Sequence, residues 1–417
     1  APPLTRAEEG SPMTRAVLDI SRLISRVRHS GPSGVDRVEM AYARGLLRLY
    51  GPKLAFAAVH PTGLYGRIPR ETAIAYLDEL DRRWTATDRS SGQRTLASVL
   101  PWMARLLPRR AGIGSADVLV QVSPHHLTHA AKMRRILQRE EARFVCMVHD
   151  LIPIEYPEYA RPGGSALHEK RMSTVAELAD AVIVNSAATG ASLTRWVESK
   201  GGIPPQIHVA LLGTEPIAKA APRVYADGKP YFVCLGTIEP RKNHLLLLHL
   251  WRKMAETLPL DDVPRLLVIG RRGWENEQIV DMLERCPSLG PVLEEVNGCG
   301  DSDLAAAICG AHALLMPSFT EGFGMPIAEA LSVGTPVIAS DIEAHREIGG
   351  NAPDYLDPLD GPGWKRTVLD HTQDGPMRRA QLTRVTAWQE PDWDSHMKIA
   401  AKVIEDAALL PKNHSAG

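Results

Sequence analysis

The chain has 417 residues, a formal net charge of -1 and 44% hydrophobic residues, which is typical of a globular protein long enough for two domains. Such a charge balance argues against nucleic acid as a partner, and no apolar run reaches the roughly 18 residues of a membrane-spanning helix. Five cysteines without metal-ligand spacing indicate reduced thiols in a cytoplasmic protein, and we expect no signal peptide before the first strand.

Apolar runs alternate with helical patterns along the first half of the chain. Strands are predicted at 16–20, 54–60, 117–122, 143–150 and 180–186. This alternation is typical of a doubly wound parallel sheet in an α/β protein. Gly31 and Gly34 follow the first run and are expected to form its strand-to-helix turn, where the backbone can approach a phosphate closely. A plain turn explains these two glycines equally well.

A second series of strands follows a polar stretch, with runs at 231–236, 265–270 and 291–296. Two Rossmann-like domains with a cleft between them are therefore predicted. The predicted segments are an N-terminal domain at 14–215, a linker at 216–229, a second domain at 230–386 and a C-terminal helix at 387–410.

The stretch 314–341 combines strand, loop, helix and strand signals around two carboxylates. Pro326 suits a first helical position, and Gly334 suits a helix C-terminus. Glu321 lies in the loop, and Glu329 is expected in the first turn of the helix. In such units ligands bind beyond the carboxyl ends of the strands, where the free N–H groups of a helix start would face them.

The sequence EGFGMPIAEALSVGTPVIASD, which begins at Glu321, resembles the retaining glycosyltransferases of family 4. The resemblance implies the GT-B fold, in which the final helix crosses back to the first domain. It implies that Glu329 grips the ribose of a nucleotide-sugar, and that Glu321 holds the sugar together with the backbone of Phe323 and Gly324. Two glutamates at this spacing also occur by chance, but the surrounding glycines and prolines favour the family interpretation.

A second stretch of the same family pattern is GTIEPRKN at 236–243. Arg241 and Lys242 match the family's pyrophosphate clamp, since paired cations can stabilise a leaving diphosphate by several kcal/mol. A solvated charge pair is the alternative. The resemblance implies further donor contacts by Gly34, Asn185, Gly236, Thr237 and Arg271. Arg271 and Arg272 are equally plausible as ordinary surface arginines.

In the first domain, His149 and Asp150 follow the strand at 143–150, within the sequence HDLIP. The family resemblance implies that one of them contacts the sugar or takes part in catalysis. A single histidine at a strand end is more often structural. Ser186 suits a helix N-cap.

Two short sequence patterns resemble metal-binding sites. Asp301 and Asp303 spell the D-x-D pattern of metal-dependent glycosyltransferases of another fold, but they precede a helical pattern and suit N-capping. His125 and His129 are spaced by one helical turn, yet no third ligand is evident. We therefore predict neither a metal nor a cofactor, the nucleotide-sugar being a substrate.

Residues 95–112 join apolar side chains, including Trp102, to Arg105, Arg109 and Arg110. Such a segment suits peripheral association with an anionic membrane, which would place the protein at the inner face of that membrane. Alternatively, its apolar face packs on the first domain and its arginines are solvated, and two prolines shorten any helix there.

These features predict a retaining, metal-independent hexosyltransferase that moves a sugar from a nucleotide-sugar to a hydroxyl of a glycan or lipid-linked oligosaccharide. The resemblance implies a role in bacterial surface polysaccharide biosynthesis. A catalytically silent sugar-binding or scaffolding protein with the same fold is the alternative, which the presence of Arg241, Lys242 and Glu329 disfavours. A nicotinamide dehydrogenase is disfavoured because no G-x-G-x-x-G follows the first strand.

Overall fold

The computed structural model describes residues 14–29, 31–85, 96–214, 220–297 and 300–411. The described chain forms two separate sheets, each flanked by helices. This is the two-sheet α/β architecture that the sequence predicts.

The first sheet has the strand order β3-β2-β1-β4-β5-β6-β7, and its neighbouring strands are parallel except for the antiparallel pair β2–β3. Its strands are β1 (Ala16–Asp19), β2 (Leu54–Val59), β3 (Tyr65–Ile68), β4 (Val118–Gln121), β5 (Arg143–Val148), β6 (Ala181–Val184) and β7 (Gln206–Val209). The accompanying helices are α1 (Ser21–Ser25), α2 (Gly34–Tyr50), α3 (Arg70–Thr85), α4 (Leu96–Arg105), α5 (Ala130–Glu140), α6 (Ile152–Glu155), α7 (Gly164–Leu178) and α8 (Ala187–Ser199).

The second sheet has the order β10-β9-β8-β11-β12-β13, with parallel pairs throughout. Its strands are β8 (Tyr231–Leu235), β9 (Arg265–Ile269), β10 (Leu293–Val296), β11 (Ala313–Met316), β12 (Val337–Ser340) and β13 (Asp354–Leu356). The remaining helices are α9 (His244–Thr257), α10 (Glu277–Arg285), α11 (Asp301–Gly310), α12 (Met325–Ser332), α13 (Glu343–Gly349), α14 (Gly361–Thr372), α15 (Pro376–Thr386) and α16 (Trp393–Ala408).

The central strands are apolar on both faces because helices cover both sides of each sheet. Every residue of β1, β4, β6, β11 and β12 is buried, as expected for parallel strands between two helical layers. The prediction of an entirely parallel first sheet is wrong at its edge, because β3 pairs antiparallel with β2. Otherwise parallel sheets commonly carry an antiparallel edge strand, and the polar Arg67 of β3 is buried in an ion pair with Glu140.

The last helix, α16, packs against the first sheet although it follows the second in sequence. His396 Nε2 lies 2.8 Å from the Tyr42 hydroxyl on α2, and the Tyr50 hydroxyl donates to the Ala401 carbonyl at 3.4 Å. A Cβ at Gly45 would lie 2.7 Å from Met397 Cγ, so glycine permits the close approach of α2 and α16. This helix therefore ties the end of the chain to the first domain.

The segment after β1 differs from the predicted strand-to-helix turn. The short helix α1 intervenes, and Gly34 is the first residue of α2. Ser33 caps α2 by accepting a hydrogen bond from the Asp36 amide, and the Asp36 side chain accepts one from the Ser33 amide in return. The glycine pair thus lies at a capped helix start, one element later than predicted.

The segment at 95–112, for which the sequence allows contact with a membrane or packing on the first domain, packs mostly on the first domain. Val99 and Leu106 are buried, and Trp102 packs against the first core. Leu100 and Leu107 stay exposed. No helix within the described residues has the length and apolar character needed to span a bilayer. Surface contact with a membrane stays a prediction, which flotation with anionic vesicles would test.

Glu39 on α2 is completely buried. Burial, followed by the nearby Asp19 carboxylate, raises the pKa of Glu39 to about 8, and the Ser123 hydroxyl and the positive Arg22 oppose this shift. The folded state therefore favours the neutral acid. The contribution of protonated Glu39 to the stability of the folded state is complete below the ordinary pKa of 4.5. It is lost as the pH rises to about 8.

We expect Glu39→Gln to raise the free energy of unfolding at pH 7 by on the order of 2 kcal/mol, because the amide cannot ionise. The gain should shrink towards pH 5, which urea unfolding at several pH values would measure. Glu198→Gln, at an exposed helix position, is the matched control and should change little. A variant with the same pH profile as the unmodified protein would contradict a neutral Glu39.

Candidate active site

The two domains meet where the carboxyl ends of β5 and β6 face the loop between β11 and α12. Ser186 donates from its hydroxyl to the Gly322 carbonyl at 2.8 Å, and Thr189 donates to the same oxygen at 3.3 Å. A Cβ at Gly322 would lie 2.5 Å from the His149 carbonyl oxygen. The loop that contains Glu321 is therefore pressed directly against the His149 segment of the other domain.

Glu321 lies at the centre of a buried cluster of charges. Its side chain is 7% exposed, and it accepts hydrogen bonds from Arg241 at 2.6 Å, from Lys242, and from the Ser318 hydroxyl at 2.9 Å. Arg241 also pairs with Glu239 at 2.6 Å. Burial alone would raise the pKa of Glu321, but Arg241 and Lys242 outweigh burial and hold that pKa far below its usual value. Glu321 is therefore a fixed carboxylate.

The environment of Arg241 and Lys242 differs from a clamp of free cations. Two cations face two carboxylates, Glu239 and Glu321, so the formal charge of the cluster is zero. Each cation nevertheless retains N–H groups that could bind a ligand. The terminal nitrogen Nη2 of Arg241 has no hydrogen bond within the described residues, and Lys242 has three N–H groups and a single carboxylate partner.

The backbone before α9 explains how these cations reach Glu321. Pro240–Lys242 forms a single 3-10 turn, and Asn243 then adopts a left-handed conformation with φ 55° before α9 begins. Both cations thus precede α9. Gly236 has φ 135°, and a Cβ there would lie 3.4 Å from Lys242 Cε. Thr237 follows in the same turn.

The start of α12 is shaped by Gly324, which has φ 98° and is the residue before the helix. Phe323 is 5% exposed, so its ring belongs to the core and its backbone alone could meet a ligand. Glu329 is the fifth residue of α12 and lies beyond the first turn, which corrects the predicted position. Gly34 lies across the cleft, where a Cβ would be 3.8 Å from Met325 Sδ. The starts of α2 and α12 therefore face each other.

His149 is partly buried, and its Nε2–H donates to the Val122 carbonyl at 2.8 Å. Burial lowers the pKa of His149 and outweighs the nearby Asp150, so the ring is neutral with Nδ1 as its acceptor nitrogen. Asn185 donates its amide to the His149 carbonyl at 3.0 Å. Asn185 thus supports the His149 backbone, and Ser186 is the helix cap that the sequence predicts.

Asp150 connects the two domains electrostatically. Its Oδ1 accepts from the Ile152 amide at 3.1 Å, and its charge contributes to the raised pKa of Arg241, after Glu321 and Glu239. His168 contacts the Asp150 carbonyl through Nε2 at 3.0 Å. The structure thus brings His149, Asp150 and the Glu321 cluster together where the two domains meet.

The two arginines after β9 separate into different roles. Arg272 pairs with Glu284 at 2.5 Å and with Glu295 at 2.8 Å, so it supports the fold locally. Arg271 is exposed, and its charge lowers the pKa of His29 after burial and Arg26 do so. Among the described residues, Arg271 has no ion pair, and its charge acts on His29 of the first domain.

The two motifs that resemble metal sites, Asp301 with Asp303 and His125 with His129, do not lie where the sequence predicts. Asp301 is the first residue of α11 after a Gly300 cap, so the predicted capping role is wrong, and it pairs with Arg37 at 3.0 Å across the domains. His125 and His129 lie in a turn before α5, not one turn apart on a helix. Within the described ranges, no three His, Cys, Asp or Glu side chains are grouped as metal ligands.

Two glutamates near the site, Glu347 and Glu239, were not predicted from the sequence. Glu347 on α13 accepts from the Ala187 and Ala188 amides at 2.5 and 3.4 Å, so a carboxylate of the second domain caps α8 of the first. Glu239 was available in the GTIEPRKN motif, where an acid two residues before Arg241 could have suggested an ion pair.

Comparison with known proteins agrees with the fold. Residues 219–353 match the family described as glycosyl transferases group 1, which is about a third of the chain. The solved structure of HepE from Anabaena with UDP and glucose covers 94% of this chain and 100% of its own, with a TM-score of 0.63 and 14% identity. Sucrose-phosphate synthase from Thermosynechococcus elongatus covers 94% and 98%, with a TM-score of 0.62 and 17% identity. The fold is thus that of the GT-B glycosyltransferases.

Curated relatives are mannosyltransferases. The serotype-specific mannosyltransferase WbdA of Escherichia coli is 28% identical over 255 residues, which is 56% of this chain and 30% of WbdA. The O-antigen chain mannosyltransferase B of the same species is 34% identical over 156 residues, which is 37% of this chain and 40% of that protein. The chain therefore matches less than half the length of these relatives.

Proposed function

We propose that the chain is a retaining glycosyltransferase that moves a hexosyl group from a nucleotide-sugar to a hydroxyl of a glycan or lipid-linked oligosaccharide, without a metal ion. The observation that carries the proposal is the buried Glu321, which is held by Arg241 and Lys242 where the two domains meet. The names of the relatives support mannose as the sugar and bacterial surface polysaccharide as the product.

The leaving group sets the electrostatic demand on the site. As the bond from the sugar to the diphosphate breaks, negative charge develops on the diphosphate oxygen. The remaining N–H groups of Arg241 and Lys242 and the positive start of α12 can stabilise that charge. Because these N–H groups are held in place before the nucleotide-sugar binds, they need little reorganisation during the reaction. This supports transfer without a divalent cation.

The bonding of Glu321 supports an orienting role over a nucleophilic one. Both of its oxygens already accept charge-assisted hydrogen bonds from buried cations, and such bonding reduces the readiness of a carboxylate to attack carbon. Glu321 can instead accept a hydrogen bond from a sugar hydroxyl while it holds Arg241 and Lys242 in place. His149 Nδ1, on the opposite side of the cleft, is an acceptor for a hydroxyl of the sugar.

The direct test of the proposal is an assay for nucleoside diphosphate release and glycan extension, with a panel of nucleotide-sugars in the presence of EDTA. We expect turnover with at least one nucleotide-hexose, with full rates under EDTA. Binding of a donor without turnover, with every acceptor offered, would support the silent sugar-binding alternative. Loss of turnover under EDTA, with rescue by magnesium or manganese, would overturn metal independence and return attention to Asp301.

We expect Glu329→Ala to weaken binding of the nucleoside diphosphate about tenfold or more, since a charge-assisted hydrogen bond to the ribose is worth roughly 1.5–3 kcal/mol. Titration calorimetry measures the affinity. Glu343→Ala, at an exposed position early in the next helix, removes the same side chain outside the cleft and should bind normally. Equal affinities for the two variants would remove Glu329 from the donor site.

A further inference from the structure

Arg171 on α7 carries a half-buried guanidinium that has no ion-pair partner among the described residues. Its Nε atom is inaccessible to solvent and makes no hydrogen bond, and no carboxylate lies within ion-pair distance among the described residues. A buried donor of this kind loses its hydration without compensation, which costs roughly 1–3 kcal/mol or more for a charged group. Nothing in the fold of the described chain accounts for that cost.

The position of Arg171 places it beside the proposed active site. His168 lies one helical turn earlier on α7 and contacts the Asp150 carbonyl at 3.0 Å. The charges of Arg22 and Asp150 both act on Arg171. Arg22 lies on α1, directly after β1. The strands β1, β4 and β5 are neighbours in the first sheet, so the segments after them meet at one edge of that sheet.

Positive charge is in excess at this edge. Arg22 and Arg26 share the single carboxylate of Asp36, at 2.5 and 3.1 Å. With Arg171 and Asp150, three guanidinium groups face two carboxylates, which leaves a formal charge of +1.

The histidines nearby do not cancel or add to that excess. Burial, then Arg22, Arg26 and Arg171, lowers the pKa of His125 to about 4, and His149 is neutral as described above. These two histidines therefore add no positive charge near neutrality, and the excess comes from the arginines.

We propose that Arg171, supported by Arg22, binds a phosphate group of the acceptor on the first-domain side of the cleft. A guanidinium presents a planar fork of N–H groups that matches two phosphate oxygens. This inference rests on the proposed transferase function and names the chemical class of its acceptor, a phosphorylated glycan or a phosphate-linked lipid. The donor diphosphate has its own cations, Arg241 and Lys242, on the other domain.

The test uses the full chain and inorganic phosphate as the probe, followed through the arginine Nε–H signals in NMR titrations with and without saturating nucleoside diphosphate. We expect phosphate to shift the Arg171 signal in both conditions. Arg171→Gln should weaken phosphate binding at least tenfold and change the affinity for the nucleoside diphosphate less than twofold. Arg139→Gln, an exposed arginine on α5 without an ion pair, is the matched control and should bind phosphate normally.

Two results would overturn the inference. Unchanged phosphate affinity in Arg171→Gln would show that Arg171 binds no phosphate. Any phosphate still bound would then be an adventitious ion only, at another place on the protein. A parallel loss of nucleoside diphosphate affinity would assign Arg171 to the donor diphosphate instead. Arg171→Lys retains the charge and should keep partial binding, which separates loss of the site from loss of the fold.

The phosphate titration also separates this inference from the proposed function. If the unmodified protein binds no nucleoside diphosphate, the transferase proposal fails, whereas phosphate binding at Arg171 can still be measured in the free protein.

Discussion

Glu321→Ala should lower turnover by roughly three orders of magnitude, while the affinity for nucleoside diphosphate is kept or increased. The alanine removes the carboxylate that orients the sugar, and it frees Arg241 and Lys242 to bind phosphate oxygens. It also leaves two buried cations with only Glu239 as a carboxylate partner. Breaking a buried ion pair in this way costs about 3–5 kcal/mol, so the free energy of unfolding should fall as well.

The separation of these effects is the informative result. Turnover, calorimetric affinity and urea unfolding are measured on Glu321→Ala, on Glu321→Gln and on the exposed control Glu343→Ala. Glutamine retains the volume, but its NH₂ group faces cationic donors, so we expect it to restore stability only in part and turnover hardly at all. Normal turnover in Glu321→Gln would mean that the negative charge of Glu321 is dispensable.

Gly322→Ala should reduce turnover about a hundredfold or more by keeping the domains apart, because misplacement by about 1 Å is enough for such a loss. The added Cβ would lie 2.5 Å from the His149 carbonyl oxygen and 3.1 Å from Asp150 Cβ. These atoms are fixed by β5 and cannot yield as a flexible side chain would. The contact of Ser186 with the Gly322 carbonyl would be lost at the same time.

Because the clash lies between domains, each domain should keep its own fold in Gly322→Ala. Small-angle X-ray scattering should show a larger radius of gyration, and thermal unfolding should change little. Gly290→Ala is the control, since the nearest atom to its Cβ would lie 3.6 Å away, at ordinary contact. A compact and fully active Gly322→Ala would contradict the close approach of the loop to His149.

The sequence predicts most of the sheets because their strands are short apolar runs between helical patterns. It misses β3, β7 and β13, which lie at sheet edges. Arg67 in β3 pairs with the buried Glu140 at 2.6 Å, so a strand residue that reads as exposed is in fact inside. A partner 73 positions away leaves no periodic signal in the strand itself.

The candidate site is predicted to a similar extent. Glycines, prolines and motif spacing locate the ends of β5, β8 and β11, because backbone conformation there demands particular residue types. The ion pair of Glu321 with Arg241 and Lys242 is not predictable in this way, since it depends on how two separate loops meet. For the same reason the sequence treats Arg171 as an ordinary helix residue, whereas the fold isolates it from carboxylates.

The anomeric configuration of the product tests the central claim most directly. The full chain would be incubated with the nucleotide-hexose that it turns over, and the new glycosidic linkage would be examined by proton NMR before it can change. We expect the product to keep the anomeric configuration of the donor, in buffer containing EDTA, and we expect Glu321→Ala to form it roughly three orders of magnitude more slowly. An inverted linkage made by the unmodified protein, or no transfer with any nucleotide-sugar, would contradict a retaining glycosyltransferase.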